Sequence, residues 1–275
     1  MKKTYLFILT FLALNSTCFS QSIYRSKKEL NSNKNSSSST SSKSSDNSQN
    51  NYTSSDNIGL LLKIFGYVTF GVFKYGLIGD YNNENHLGNN LNTHPFSENG
   101  RGNYSETDSI GTRTSRLDVE NKFVTSGNII RGNHLDIKIR PLKYFYVSSD
   151  WYQLYENNDF TKKNDALTLV YFNLAYDRVR FENFNLGWTI GASYIVNEVR
   201  KGGFSYGVNA EYFLNKNISL SFDSKWSSIN QNPVNSLELK GKYFKKNYFA
   251  AISYKRLKIG TPLYNLIGIG AGIYF

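Results

Sequence analysis

The chain has 275 residues, with 32 Lys and Arg against 21 Asp and Glu, a formal net charge of +11 and a mean hydropathy of −0.46. That hydropathy excludes a bundle of long oily membrane helices. A single Cys (Cys18) and three dispersed His (His86, His94, His134) leave no disulfide framework and no metal-ligand spacing.

The chain opens on Met1-Lys2-Lys3, an apolar core from Tyr5 to Leu14, and Cys18-Phe19-Ser20. This pattern predicts a secretory signal peptide over 1–20, cut before Gln21. Removing Lys2 and Lys3 takes the charge from +11 to +9. The remaining Lys and Arg are scattered over turns and strand faces, without a basic helix or zinc spacing, so no nucleic-acid partner is expected. A lipoprotein cut before Cys18 is the rival, but Asn15 stands where such signals usually carry Leu.

Residues 21–57 are rich in Ser and Asn, as in Ser37-Ser38-Ser39-Thr40-Ser41-Ser42. They hold too little apolar surface to offset ordering entropy, which predicts a disordered spacer. The apolar segment 58–80 places Leu61, Ile64, Phe65, Val68, Val72 and Tyr75 on one helical stripe. Lys63, Lys74 and the four glycines within 58–78 argue against a spanning helix, so an amphipathic helix at the membrane surface or against the barrel is expected. An additional strand pair is the alternative. Residues 81–115 read as an irregular polar connection without a regular element.

From Arg116 a two-residue period takes over. Leu117, Val119 and Phe123 alternate with Asp118, Glu120 and Lys122. Leu135, Ile137 and Ile139 alternate with His134, Asp136, Lys138 and Arg140. The same pattern recurs near 144–155, 166–178, 184–196, 204–212, 218–226, 237–243 and 248–254, and finally over Leu266–Phe275. In that last stretch Phe275, Ile273, Ala271, Ile269 and Ile267 form an oily face opposite Gly268, Gly270, Gly272 and Tyr274. The intervening segments sort into longer ones (127–133, 157–165, 197–203, 228–235, 258–265) and shorter ones (141–143, 181–183, 214–217, 244–247). Long outer loops alternating with short inner turns are what an outer-membrane barrel needs. The abundant aromatics, 21 Tyr and 19 Phe, suit girdles at both membrane surfaces.

These features resemble those of bacterial outer-membrane β-barrel proteins: signal peptide, period-two strands, and a last strand whose alternating apolar residues end in Phe275. The resemblance implies an all-β fold over 116–275, a closed antiparallel up-and-down transmembrane barrel of about ten strands (eight to twelve). It also implies a place in the outer membrane of a Gram-negative cell envelope. Expected partners are outer-membrane lipid and the barrel-assembly machinery, with Phe275, Ile273, Ala271, Ile269 and Ile267 as the assembly signal and a monomeric barrel.

The polar face carries both signs of charge: Asp118, Glu120, Lys122, Asp136, Lys138, Arg140, Asp150, Asp177, Glu211, Asp223, Lys225, Glu238, Lys240 and Lys255. In a narrow barrel such charges fill the lumen as cross-strand pairs. The expected role is therefore structural or surface-interactive, with a lumen filled by its own side chains. Alternatives are a narrow channel for small polar solutes and an outer-membrane hydrolase or lipid-modifying enzyme. The catalytic candidates are His134 at the outer rim and Asp136 beside it on the same face. Gly203-Phe204-Ser205-Tyr206-Gly207 has the letters of a nucleophile elbow, but it lacks the strand-turn-helix context that chemistry needs. No Walker, dinucleotide or metal motif is present, so no cofactor is expected.

Overall fold

The computed structural model describes residues 23–32, 71–97, 100–106, 115–127, 129–158, 163–215 and 217–275. The two-residue period becomes ten antiparallel strands. They are β1 (Arg116–Ser126), β2 (Ile130–Arg140), β3 (Phe145–Asn158), β4 (Lys163–Arg180), β5 (Phe184–Ile195), β6 (Lys201–Asn215), β7 (Ile218–Ile229), β8 (Asn232–Lys245), β9 (Tyr248–Ile259) and β10 (Leu263–Tyr274). Each pairs with its neighbour in the chain, and β10 pairs with β1, so the barrel closes. At the seam Ile273 faces Val119 and Ile269 faces Phe123. Beyond it, the Phe275 amide donates to the Leu117 carbonyl at 2.9 Å, and the Leu117 amide donates back at 3.2 Å. Closure leaves no strand edge unpaired, which removes the aggregation hazard of an open sheet.

The two faces of this wall are inverted relative to a water-soluble protein. Outward side chains are apolar and exposed: Ile269 at 64%, Phe172 at 60% and Ile252 at 60%. Inward side chains are polar and buried, among them Lys122, Asn173, Ser205 and Lys255. The glycines of β10 face inward because the lumen has no room for more. A Cβ at Gly270 would lie 2.1 Å from the Asn121 carbonyl oxygen and 2.6 Å from the Lys122 Cα.

Strand number and facing agree with the sequence reading, but the connections do not. The hairpins at the predicted outer end are short: 230–231 joins β7 to β8, and 260–262 joins β9 to β10. Asn230 and Gln231 both take positive φ (49° and 62°), as a two-residue hairpin turn requires. Connections at the other end, such as 181–183 and 246–247, are of similar length. The sorting into long and short loops therefore disappears. The physical reason is that apolar inward residues continue into the stretches read as loops. Ile229, Val234 and Ile259 are all buried and extend their strands. The end at which β1, β3, β5, β7 and β9 finish is called the loop end, and its opposite the turn end.

Two further differences concern segments outside the barrel strands. Within the predicted spacer 21–57, Ile23–Asn31 forms a helix, α1, with Ile23 and Leu30 fully buried. Within 81–115, a short 3-10 turn covers Asn85–Gly88, and Asn90–Leu91 pairs antiparallel with Tyr104–Ser105. Of the segment 58–80, residues 72–78 form a π-helical turn, and 58–70 lie outside the described residues. No helix among the described residues is long and apolar enough to cross a membrane, which has no bearing on a barrel.

Candidate functional site

The lumen is the natural place to look for a site, and it is filled in three layers. The middle layer is ionic. Lys122 on β1 contacts Glu238 on β8 and lies 3.0 Å from Glu120. Lys240 on β8 donates to Glu120 on β1 at 2.9 Å and lies 3.8 Å from Asp136. Two strands separate β8 from β1, so these lysines reach across the lumen. Lys225 on β7 likewise crosses to Asp150 on β3, and it lies 3.5 Å from Asp223. Lys255 donates to Glu238 at 3.3 Å and to the Tyr152 hydroxyl. The expectation was of pairs on neighbouring strands. Glu238 and Lys255 are such a pair in register, but the ion pairs that bridge the lumen were not legible from alternation alone. A cavity of about 40 Å³ remains among Asp136, Lys138, Arg140, Tyr146 and Asp223. That is room for a water or two, not a path for a solute.

The turn end is closed by residues 85–97 and 100–106, which fold into the barrel mouth as a strap. Three buried arginines hold it. Arg116 donates to the Asn92 carbonyl at 3.1 Å and to Asn103 Oδ1 at 3.0 Å. Arg180 donates to the Leu87 carbonyl at 2.6 Å and stacks over the Tyr144 ring at 3.8 Å. Arg140 shares Asp177 with Tyr104: its Nη1 lies 2.8 Å from the carboxylate and the Tyr104 hydroxyl 2.6 Å from it. Phe96 of the strap packs on Phe213 and Phe244, with ring centres 5.7 and 5.4 Å apart. Just before the strap, the turn at 72–78 lies on the outer wall. Arg178 donates to the Tyr75 carbonyl at 2.7 Å and forks onto Glu84 at 2.8 Å through both terminal nitrogens. Hydrogen bonding to Arg178 holds the Glu84 carboxyl below its usual range. The Trp188 indole donates to the Leu77 carbonyl at 3.0 Å.

The loop end is corked by α1. Ile23 and Leu30 enter an apolar layer with Ile195, Ile229, Val234 and Leu257. Ser26 Oγ lies 3.0 Å from the Ile259 carbonyl and 2.7 Å from the Tyr264 hydroxyl. Lys27 reaches Asp165 at 3.2 Å and Glu198 at 3.4 Å. The free carbonyls at the helix C-terminus are taken up by side-chain amides: Asn232 reaches Glu29 at 3.0 Å, and Asn230 reaches Leu30 at 2.8 Å and Ser32 at 3.0 Å. The Glu29 carboxylate accepts the Thr261 amide at 2.7 Å. Burial raises the Glu29 pKa, but that bond and Arg25 together outweigh it, and the net shift is downward.

The catalytic candidates sit inside this filling. His134 is 1% exposed and lies below the rim rather than on it. Its ring stacks on Tyr152 at 3.9 Å, and Nε2 lies 3.2 Å from Asp150 Oδ1. Asp136 instead faces Lys240. The histidine's carboxylate partner is therefore Asp150 on β3. It was among the inward charges in the sequence but not paired with His134, because register across β2 and β3 cannot be read from one strand. Ser205 is fully buried in mid-strand on β6, not at a strand-to-helix elbow. No group of three or more His, Cys, Asp or Glu is placed to hold a metal among the described residues. Phe275, Ile273, Ala271, Ile269 and Ile267 all project from the outer wall.

No protein-family model and no curated protein sequence matches the chain. Among solved structures it is similar to the N-terminal β-barrel domain of Pseudomonas aeruginosa OprF, with 11% identity, 58% of this chain and 97% of that one covered, and a TM-score of 0.30. It is also similar to the NanC porin, with 12% identity, 57% and 98% covered, and a TM-score of 0.35. A third is Ail of Yersinia pestis, with 13% identity, 58% and 97% covered, and a TM-score of 0.29.

Proposed function

We propose that the chain is an outer-membrane β-barrel with a sealed lumen, acting as a structural or surface-interaction element of a Gram-negative envelope rather than as a pore or an enzyme. The observation that carries this reading is the inverted wall. Outward positions of the strands hold no Asp or Glu among the described residues, and their centre is aliphatic: Ile137, Ile190, Leu220, Leu239, Ile252, Ile269. Aromatic residues flank that band. Phe145, Tyr212, Tyr243 and Tyr248 lie toward the turn end, and Tyr155, Tyr194, Phe204 and Trp226 toward the loop end. An apolar band between aromatic girdles suits a bilayer and its two interfaces. In water the same band would be an exposed apolar patch far larger than monomeric proteins carry.

On this reading residues 1–20 direct export, the barrel-assembly machinery inserts the strands, and membrane lipid is the barrel's surrounding partner. The three-layer filling argues against transport, because the cork, ion pairs and strap each block the same axis. His134 is shielded by its neighbours, which argues against chemistry there. The purified, folded protein is expected to show no conductance steps in planar bilayers under conditions where its insertion is confirmed by protease protection. Reproducible unitary steps from pure protein would replace the sealed reading with the channel reading.

A further inference from the structure

Two cations on one strand interrupt the apolar pattern of the outer wall near the loop end. Arg256 and Lys258 point outward on β9, just beyond Tyr254 toward the loop end, and both are exposed. Leu237 on β8 stands opposite Arg256, and Leu263 on β10 stands opposite Lys258. Ser224 on β7 pairs with Leu237, and Trp226 follows two residues on. Trp226, Leu237 and Leu263, with the two cations above them, line a half-open cavity of about 400 Å³. Neither cation has a hydrogen bond or ion pair among the described residues. The lumen lysines Lys122, Lys225, Lys240 and Lys255 meet carboxylates, and the outward Arg178 is taken by Glu84; Arg131 on β2 and Lys245 on β8 also point outward, but neither lines this cavity. No carboxylate faces outward on β7, β8, β9 or β10 to serve these two.

We propose that this cavity binds a lipid with an anionic phosphate headgroup. The phosphate lies between the Arg256 guanidinium and the Lys258 ammonium, and an acyl chain runs over Trp226, Leu237 and Leu263. The chemistry follows from the neighbours. Cations at the edge of an apolar wall are costly unless paired, and a planar guanidinium forks onto phosphate oxygens. The apolar floor alone would accept any chain; the two unpaired cations select one whose headgroup carries net negative charge. This site rests on the membrane reading above and goes beyond it by naming a bound lipid class.

The test uses the folded barrel in neutral detergent, with bound molecules counted by native mass spectrometry. Three probes separate the parts of the ligand: dioleoyl phosphatidic acid, dioleoylglycerol without the phosphate, and inorganic phosphate without the chains. Only phosphatidic acid is expected to be retained. Arg256→Ala with Lys258→Ala should weaken retention by roughly tenfold or more, while the heat-dependent gel shift of the folded barrel persists. Lys245→Ala, which removes an outward cation at the turn end, should change nothing. Equal retention by the double variant, equal retention of dioleoylglycerol, or capture of inorganic phosphate alone would overturn the site. If the wall contacts lipid but phosphatidic acid is not retained, only this site fails. If the wall does not contact lipid, the membrane reading fails and takes the site with it.

Discussion

Replacing Glu238 with Ala is expected to lower the stability of the folded barrel by about 3–5 kcal/mol. Glu238 is buried and is the shared partner of two lysines, Lys122 from β1 and Lys255 from the neighbouring β9. Its removal leaves two ammonium groups in a closed lumen with fewer counter-charges. Lys122 keeps Glu120 at 3.0 Å, and Lys255 keeps the Tyr152 hydroxyl, so the loss should stop short of abolishing the fold. Breaking a buried pair costs more than the pair contributes, because the surviving charge is stranded. The measurement is urea-induced unfolding in detergent, followed by loss of β-sheet circular dichroism. A second substitution, Lys122→Ala, should recover part of the loss, because it removes one stranded charge. A Glu238→Ala barrel as stable as the parent would mean that the lumen is wet and its charges are already solvated.

The second large effect falls on the cork. Leu30→Asp places a carboxylate in the apolar layer formed by Ile195, Ile229, Val234 and Leu257. An unpaired charge there is too costly to remain ionised and docked. The cheaper outcome is release of α1, since a nine-residue helix has little stability of its own. The barrel wall should stay intact, with its gel shift unchanged. Lys27 is 5% exposed in the parent, so trypsin should cut after Lys27 or Lys28 at least tenfold faster in the variant, an opening of about 1.4 kcal/mol or more. Unchanged cutting would show that α1 is not held by its apolar face. The position of α1 also bears on topology. It sits at the loop end, whereas residues 85–97 and 100–106 sit at the turn end, where β1 starts.

Much of the fold was legible because a strand wall writes its two faces into alternate residues. Every inward charge named from the sequence, from Asp118 to Lys255, does face the lumen, and the outward Leu, Ile and Phe residues face away. What could not be read was contact between distant strands. The lysines that cross the lumen choose carboxylates three or four strands away, and His134 meets Asp150 rather than Asp136. The cork was missed for a related reason. Ile23, Lys27 and Leu30 recur at helical spacing, but over only nine residues and directly before a Ser-rich run. A signal was present on the other partner. Ile229, Val234, Leu257 and Ile259 are apolar on the inward face just where it should be polar, and such a layer needs a cover. The strap was read as irregular because Asn89, Asn92 and Asn103 look like loop residues. Their order comes from Arg116, which begins the first strand, and from Arg180, 91 residues beyond Asn89.

The central claim is that the outer wall of this barrel faces lipid, and the protein carries its own reporters. Its three tryptophans, Trp151, Trp188 and Trp226, all lie at outward positions. The direct measurement is intrinsic tryptophan fluorescence of the folded barrel in vesicles whose acyl chains are brominated, compared with vesicles of unbrominated lipid. Most of the emission should be quenched by the brominated chains, because the indoles sit within contact distance of lipid. Equal emission in the two kinds of vesicle would place the wall away from the bilayer and contradict the account.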